Sequence, residues 1–283
     1  MDTILLLRSF GDFVIALYHL PADKPVRLVA SSHLKDLYQS FYPFLNPSQQ
    51  SVQFLDIGIQ HNLLAAFTNR YFFSFQNLRE LKELRKIVLD NTQKNEHPQE
   101  QAYSEKLFLE QKRRAWVLKL TTGFSFGSIH QNGNVYDAWS RFYGHETPIK
   151  QATISFKKLL IFPDSRLERK VIPESIVLNL EEQLSIFGCQ LTRACFGTGN
   201  HPAKYYTNFS ELIKLIQEAD FVISSDSLPA HIAQLLQKPH AIVYASKINH
   251  EWVTPFARAN GWLFTFDTIE QLVNKVKENI HSI

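Results

Sequence analysis

The stretch 221–236, FVISSDSLPAHIAQLL, joins an apolar run to polar side chains that could bind a phosphate group. The run FVISS predicts a buried strand. A helix predicted to begin at Pro229 would direct its unpaired amides and its dipole at whatever lies beyond the strand. Asp226 and Ser227 fall at that junction, and His231 falls in the first helical turn. The alternative is that Asp226 or Ser227 only caps the helix, a common role for these residue types.

A second stretch, 161–175, places three cations after another apolar run. The run is followed by Ser165 and Arg166, and then by Arg169 and Lys170. At the carboxyl end of a strand, three positive charges could neutralise a diphosphate. The alternative interpretation is a solvated basic loop that binds no ligand.

The third place is Gly11-Asp12, which follows the first apolar run of the chain. Glycine allows a tight turn after a strand, and Asp12 would then lie at the lip of a ligand crevice. A carboxylate in that position could take a proton from an acceptor hydroxyl. Gly-Asp is also a common turn, so a purely structural role remains open.

These residues need a framework that brings strand ends to one edge. In the second half of the chain, short apolar runs alternate with amphipathic helical patterns, which predicts βαβ units on a parallel sheet. The predicted strands are 159–162, 189–196, 221–225, 241–245 and 262–266. The predicted helices are 173–187, 208–219, 229–237, a helix near 251–259, and 268–280, with Asn208 or Ser210 and Asp267 or Thr268 as candidate caps.

The first half of the chain begins with the same alternation. Strands are predicted at 3–7, 26–31 and 52–57, and helices from Phe13 onward and at 33–41. After residue 76 the pattern becomes helical and charged, interrupted by a polar segment at 91–101 that is predicted to be an exposed loop. A glycine and a proline interrupt the pattern within 143–155, so we predict two domains, 1–150 and 151–283.

The composition narrows the class of protein. The 283 residues are 45% hydrophobic and 20% charged, and the net charge of +3 gives no electrostatic reason to expect nucleic acid as a partner. Cys189 and Cys195 have no partners at zinc spacing, so no metal site is predicted. No apolar run reaches the length of a membrane span, which predicts a cytoplasmic protein. The basic, aromatic stretch 106–120 could lie on the inner membrane face, or it could simply cover the N-terminal core.

Together, the three stretches resemble glycosyltransferase family 9, the ADP-heptose:lipopolysaccharide heptosyltransferase-like family. Members carry Gly-Asp after the first strand, here Gly11-Asp12. They carry Pro-Gly-Ser-(Arg/Ser) and then Lys-x-Trp-Pro, here Pro-Asp-Ser-Arg at 163–166 and Lys-Val-Ile-Pro at 170–173. They also carry Asp-Ser-Gly-x-x-His-x-Ala followed by Lys-Pro, here Asp-Ser-Leu-Pro-Ala-His-Ile-Ala at 226–233 and Lys-Pro at 238–239.

The resemblance, which is clear over about 157–245, implies a GT-B fold: an α/β protein of two Rossmann-like domains whose parallel sheets face each other across a crevice. It implies a metal-independent, inverting transfer from a nucleotide-sugar donor to a cell-surface glycan or a glycolipid of the lipopolysaccharide type, with no cofactor. Asp12 matches the general base of the family. The residues that match substrate contacts are Gly11, Ser165, Arg166, Lys170, Asp226, Ser227 and His231.

Two departures from the family pattern bear on activity. Leu228 replaces the glycine of the Asp-Ser-Gly block, and Asp164 replaces the glycine of Pro-Gly-Ser, which adds a carboxylate where an anion should bind. A catalytically degenerate GT-B protein that binds a nucleotide or a partner is therefore the alternative, and a GT-B sugar-nucleotide epimerase is a further one. A dehydrogenase is not expected, because no G-x-G-x-x-G follows a strand.

Overall fold

In this computed structural model, the described residues are 2–6, 10–20, 26–44, 50–55, 107–109, 126–128, 133–143, 154, 156–199 and 203–280. The chain forms two compact units. The first comprises Met1–Phe13 and Leu20–Gly133, and the second comprises Val14–His19 and Asn134–Ile283. The units thus change over at Gly133, and the division into domains 1–150 and 151–283 stays a prediction.

The first unit contains a parallel three-stranded sheet in the order β1-β2-β3. Its strands are β1 (Asp2–Leu6), β2 (Val26–Ser31) and β3 (Gln50–Leu55). The helices between them in the chain are α1 (Phe10–Tyr18), of which only Phe10–Phe13 belong to the first unit, and α2 (Lys35–Phe41), which follows a 3-10 turn at Ser32–Leu34. This confirms the predicted alternation of strands and helices at the start of the chain.

Helix α1 corrects one sequence prediction. A tight turn at Gly11-Asp12 and a helix from Phe13 are expected, but α1 begins at Phe10, so that Gly11 and Asp12 lie in its first turn. Gly11 is not among the residues with positive φ, so the conformational freedom that suggested a turn is not used. A carboxylate in a first helical turn is favoured by the helix dipole, which accounts for Asp12 within the helix.

A second correction concerns the helical pattern predicted after residue 76. Leu107–Leu109 form a strand, β4, which pairs in parallel with β5 (Phe126–Ser128). A run of three apolar residues has no periodicity that separates a strand from a helix, and only its pairing partner decides. Apart from β4, the stretch 106–120 lies outside the described residues, as does the loop predicted at 91–101.

The second unit is built on a parallel sheet of six strands in the order β11-β10-β9-β6-β7-β8. The strands are β6 (Lys158–Phe162), β7 (Gln190–Phe196), β8 (Lys204–Tyr206), β9 (Phe221–Ser225), β10 (His240–Tyr244) and β11 (Leu263–Thr265). Numbered within the unit, the order is 3-2-1-4-5-6, the strand order of the Rossmann fold. The predicted parallel sheet is confirmed, with β8 as an additional edge strand.

Besides the part of α1 from Val14 onward, six α-helices of the second unit lie within the described residues. They are α3 (Val135–Tyr143), α4 (Glu174–Ser185), α5 (Phe209–Glu218), α6 (Leu228–Leu235), α7 (Pro255–Ala259) and α8 (Ile269–Ile280). Asn208 caps α5 as predicted, since its side chain accepts a hydrogen bond from Glu211 N at 2.9 Å. Helix α7 begins later than predicted because Thr254 is its N-cap and Pro255 its first residue.

The core of the second unit fixes the strands that matter for function. Every residue of β9 and β10 is buried, and α6 packs against both strands. At the amino-terminal end of β9, the rings of Phe156, Phe221 and Trp262 pack together, and the ring centroids of Phe221 and Trp262 are 4.8 Å apart. Burial of such apolar surface holds the strand ends in place, so the polar residues that follow them start from rigid positions.

Within the described ranges, no helix is both long and apolar enough to cross a membrane.

Candidate functional site

Strands β6 and β9 end side by side in the second unit. They are hydrogen-bonded in parallel, with Phe162 opposite Ser224, and the chain then continues to opposite sides of the sheet, to β7 and to β10. Ligands of open parallel sheets bind at such a switch point, beyond the carboxyl ends of the strands. The stretches 163–173 and 226–233 follow these two strands, so the fold brings together two of the three places that the sequence suggests.

The closest contact between the two stretches is an ion pair between Lys170 and Asp226. Lys170 Nζ donates to Asp226 Oδ2 at 2.8 Å and to the Asp226 backbone oxygen at 2.9 Å. The Asp226 side chain is 5% exposed and the Lys170 side chain 30% exposed, so a buried carboxylate is neutralised by a cation that still reaches the surface. An ammonium group has three N–H donors, and the two bonds to Asp226 leave one for another acceptor.

The loop after β6 has a defined shape that directs Lys170 back to the sheet. Ile172 N donates to Pro163 O at 2.9 Å and closes the loop, and the Ile172 side chain is buried. Within the loop, Glu168–Lys170 form a 3-10 turn, with Lys170 N donating to Leu167 O at 2.8 Å. Lys170 therefore meets Asp226 across 56 positions of sequence because both ends of its loop are fixed.

Helix α6 begins directly after Asp226, with Ser227 as its N-cap and Pro229 in the first turn. The Ser227 side chain makes no capping bond. Its hydroxyl instead donates to Ser225 O at 3.2 Å and accepts from Ser225 Oγ at 3.2 Å. Because Asp226 is engaged with Lys170, neither side chain acts as the side-chain cap of this helix. The alternative that Asp226 or Ser227 only caps the helix therefore does not apply, and the interpretation as a phosphate-binding junction stays a prediction.

His231 lies in α6 but is more enclosed than the sequence suggests. It is 5% exposed, and its Nδ1 is 2.8 Å from the hydroxyl oxygen of Tyr136. The pKa of His231 is lowered to about 4, mainly by burial, while the negative charge of Asp226 opposes this effect and the positive charge of Lys170 adds to it. The imidazole is therefore neutral at physiological pH and can donate or accept a hydrogen bond without carrying charge.

Tyr136 is a site residue that the sequence analysis misses. It lies on α3, is 1% exposed, and its ring packs against those of Tyr18 and His19 at 5.7 and 5.6 Å between centroids. Burial raises the pKa of Tyr136, and the nearby Tyr18 and Asp226 raise it further, so the phenol stays protonated. Only the helical spacing of the apolar residues at 135, 136 and 139 could have signalled α3, and no spacing could have placed Tyr136 beside His231.

A second buried phenol, Tyr244, lies at the carboxyl end of β10. It is 5% exposed, and its hydroxyl has no hydrogen-bond partner among the described residues. Burial raises the pKa of Tyr244, and the negative charge of Asp226 adds to this effect. The two tyrosines thus share burial and neighbourhood, but only the Tyr136 hydroxyl is hydrogen-bonded.

The other residues suggested in the loop after β6 are more exposed. Ser165 Oγ accepts a long hydrogen bond from Leu167 N at 3.4 Å, and Arg166 is exposed. Asp164, the carboxylate that departs from the family pattern, accepts from Phe196 N of β7 at 3.4 Å. Together with burial, its charge raises the pKa of Tyr206 to about 12. Asp164 thus has contacts of its own with the end of β7.

Gly11 and Asp12 belong to the first unit, in the first turn of α1. Both are partly exposed. Asp12 has interactions of its own there. Its predicted role as general base stays a prediction, as do the predicted substrate contacts of the other residues.

Comparison with known protein families finds a match within the second unit. Residues 206–277 match the family model described as glycosyltransferase family 9 (heptosyltransferase), which covers Asp226, Ser227 and His231 but not the residues suggested earlier in the chain. No curated protein sequence matches the chain.

Several solved structures share the fold. E. coli heptosyltransferase WaaC with ADP aligns over 99% of each chain at 15% identity, with a TM-score of 0.58. The family 9 glycosyl transferase from Veillonella parvula covers 100% of this chain and 97% of its own at 9% identity, with a TM-score of 0.60. The alignment with E. coli ADP-heptose lps heptosyltransferase II covers 100% of this chain and 99% of that chain at 11% identity, with a TM-score of 0.57.

At such low identities these likenesses establish the fold, which is the GT-B fold of glycosyltransferases, as the sequence resemblance implied. The family match over 206–277, the six-stranded sheet of Rossmann order and these structural neighbours make the chain similar to the heptosyltransferases of glycosyltransferase family 9.

Proposed function

We propose that this chain is a glycosyltransferase of family 9 that moves a sugar from a nucleotide-sugar donor to a cell-surface glycan or a glycolipid of the lipopolysaccharide type, with inversion and without a metal ion. The observation that carries the proposal is the pairing of Lys170 with Asp226 at the switch point of the second unit. It sets a partly exposed ammonium group beside the first turn of α6, where an anionic ligand is favoured.

The donor diphosphate is the group that these residues suit best. Lys170 keeps one N–H beyond its two bonds to Asp226, and a charge-assisted bond to a phosphate oxygen is stronger than a neutral one. Ser227, which leaves the helix amides uncapped by its side chain, adds a hydroxyl at the same junction. Arg166 supplies a further exposed cation on the same loop, and Ser165 a further hydroxyl. When the sugar leaves the diphosphate, these groups would stabilise the charge that develops on it.

The structural neighbours suggest the first donor to test. E. coli WaaC is solved with ADP and with ADP-2-deoxy-2-fluoro heptose, and E. coli heptosyltransferase II is described as an ADP-heptose lps enzyme. We propose ADP-heptose as the first candidate donor for this chain and a lipopolysaccharide-type glycan as the first candidate acceptor. The departure at Leu228 falls at the first residue of α6, so a donor that differs in its phosphate contacts is the next candidate.

For the acceptor, we propose Asp12 as the general base. The acceptor hydroxyl oxygen forms a bond to the anomeric carbon of the sugar, and the hydroxyl proton passes to the Asp12 carboxylate. The bond between that carbon and the diphosphate oxygen breaks, and its electron pair leaves with the nucleoside diphosphate. Attack from the face opposite the leaving group inverts the anomeric carbon. Gly11, beside the base, is proposed to lie against the substrate because it has no side chain to exclude it.

The proposal is tested by donor binding to the wild-type chain and to two lysine variants. ADP-heptose and sugars linked to GDP, UDP and dTDP are screened by thermal shift, since a ligand that binds the folded state raises the melting temperature. For the best donor, Lys170→Met is expected to weaken binding by roughly tenfold to a hundredfold, the effect of losing a charge-assisted hydrogen bond. Lys214→Met is the matched control, because Lys214 is a 76% exposed lysine of the same unit.

Equal affinity of the wild type and Lys170→Met for the best donor would refute the assignment of Lys170. A donor that binds tightly but is never transferred to any glycan acceptor would favour the alternative of a degenerate GT-B protein. Transfer that is unchanged by EDTA is expected, because the cation proposed at the diphosphate is an ammonium group. Loss of transfer on adding EDTA would contradict the metal-independent mechanism.

A cytoplasmic location and peripheral contact with the inner membrane face stay predictions, and so does the absence of a nucleic-acid partner. The stretch 106–120, which suggested membrane contact, has only Leu107–Leu109 within the described residues.

A further inference from the structure

In the buried pair of Tyr136 and His231, the partners available to each side chain determine which of the two donates the hydrogen bond. The Tyr136 hydroxyl oxygen and His231 Nδ1 are 2.8 Å apart, and the two residues are 1% and 5% exposed. A neutral imidazole carries its proton on one nitrogen and accepts at the other, so the direction of this bond fixes the tautomer.

The direction follows from what else the Tyr136 hydroxyl can reach. Among the described residues, His231 Nδ1 is the acceptor that the structure offers to the Tyr136 hydroxyl. If Nδ1 carried the proton, it would donate to Tyr136, and the phenol proton would be buried without an acceptor, which is unfavourable. The phenol therefore donates to Nδ1. The imidazole proton is then on Nε2, for which the described residues offer no hydrogen-bond partner.

We propose that Tyr136 is a positioning residue, whose hydroxyl holds His231 in the tautomer protonated at Nε2 and so directs an N–H donor at an anionic oxygen of the bound nucleotide sugar. The last part rests on the proposed function of His231, whereas the tautomer does not. The ligand class is the diphosphate of the donor, because His231 lies on α6, the helix that begins at the Lys170–Asp226 pair.

Helix α3 is anchored well enough for Tyr136 to serve as a fixed support. The side chain of Asn134 accepts from Tyr136 N at 2.9 Å and donates to His250 O at 2.9 Å and Val253 O at 2.6 Å. Val135 N also donates to Glu251 O at 2.8 Å. With Tyr18 and His19 packed on its ring, the phenol has one orientation, as a positioning residue requires.

The test is Tyr136→Phe, which keeps the ring and removes the hydroxyl, with Tyr244→Phe as the matched control. Tyr244 is also a buried tyrosine of the same unit, and its hydroxyl has no hydrogen-bond partner among the described residues. Nitrogen-15 NMR of histidine-labelled chains reports the tautomer directly, and loss of one signal pair in His231→Gln assigns His231 among the 11 histidines.

In the wild type we expect His231 Nδ1 to be unprotonated and Nε2 protonated, and Tyr244→Phe to leave this pattern unchanged. In Tyr136→Phe, we expect the tautomer protonated at Nδ1 to become populated and the KM for the nucleotide sugar to rise about tenfold, more than kcat falls. A wild-type His231 protonated at Nδ1 overturns the proposal, and this measurement does not depend on the folding of Tyr136→Phe. An unchanged tautomer in Tyr136→Phe overturns it as well.

The two readouts separate this inference from the proposed function. If the tautomer shifts as expected but no nucleotide sugar binds any form of the chain, the proposed function fails and the role of Tyr136 toward His231 stands. If nucleotide sugars bind, the tautomer shifts and affinity does not change, His231 makes no contact with the diphosphate, and that part of the proposal is overturned.

Discussion

Lys170 and Asp226, both proposed to contact the donor, form an ion pair with each other. The sequence motif suggests two separate donor contacts, but the 2.8 Å ion pair makes them one group of nearly zero net charge. Removing either residue leaves the other charge partly buried and uncompensated, which costs stability as well as affinity. The double replacement Lys170→Met with Asp226→Asn separates the two effects, because it removes the ligand contact without leaving a lone buried charge.

His231 and His240, two of the buried histidines of the second unit, are expected to make its stability depend on pH. His231 bonds to Tyr136, and His240 has Lys238 O at 2.8 Å from Nδ1 and Thr254 Oγ1 at 2.7 Å from Nε2. Burial lowers the pKa of each to about 4, against an ordinary value of 6.5. Between these two values the unfolded chain binds more protons than the folded chain, so acid favours unfolding.

We therefore expect the free energy of unfolding of the second unit to fall as the pH is lowered from 6.5 toward 4. Above pH 6.5, these two histidines should add no pH dependence to the free energy of unfolding. Each histidine contributes a slope of up to about 1.4 kcal/mol per pH unit. Urea unfolding at several pH values measures it. The variants His231→Gln and His240→Gln should each reduce the slope, and a slope unchanged in both would show that neither imidazole is held neutral.

Strand β9 and helices α8 and α3 show which elements of this fold can be predicted from the sequence and which cannot. Strand β9 coincides with the predicted 221–225, and α8 begins and ends within a residue of its prediction, because both have long, regular apolar patterns. Helix α3 is missed, since its apolar residues lie among aromatic and glycine-rich neighbours that obscure the period. The contact between Tyr136 and His231 spans 95 positions, which no local pattern encodes.

The same limit applies to the site. The motifs predict that the stretches containing Lys170 and Asp226 lie at strand ends, because strand order follows from the alternation of elements. They do not predict that the two side chains form an ion pair, that His231 is enclosed, or that Ser227 bonds back to Ser225. These are properties of packing, set by residues that carry no motif of their own.

The anchoring of α3 is expected to depend on one buried amide more than on an ion pair. Asn134 is 5% exposed and makes three hydrogen bonds to backbone groups, whereas the Arg258–Asp137 pair is about 40% exposed on both sides. Asn134→Ala should cost about 2–3 kcal/mol of stability, because the buried Val253 carbonyl and the buried Tyr136 N–H lose their partner. Arg258→Ala should cost under about 1 kcal/mol, as for exposed ion pairs.

Denaturant unfolding of the two variants under one set of conditions makes the comparison. If Arg258→Ala proved the more damaging, the bidentate surface pair and not the buried amide would be what fixes α3.

At the scale of the whole molecule, the residues proposed for catalysis are divided between the two compact units. The residues proposed to bind the donor, Lys170, Asp226, Ser227 and His231, all belong to the second unit, and Asp12, the proposed general base, belongs to the first. Each unit also has its own parallel sheet. Donor affinity is therefore expected to depend on the second unit, and to be insensitive to replacement of Asp12.

Asp12→Asn tests this division, because asparagine keeps the size of the side chain and removes its basicity. If Asp12 is the general base, donor affinity and stability should be retained, and turnover should fall by roughly 10²–10⁴, the usual contribution of a positioned base.

The structural alternative for Asp12 follows from its place in the first turn of α1, where the helix dipole favours a negative charge. Loss of that charge alone would cost about 0.3–1 kcal/mol of stability and leave turnover nearly intact. Steady-state kinetics with the best donor and denaturant unfolding of the same variant therefore give opposite pairs of results for the two roles. A destabilised Asp12→Asn chain with normal turnover would assign Asp12 to the helix and leave the general base to be found elsewhere.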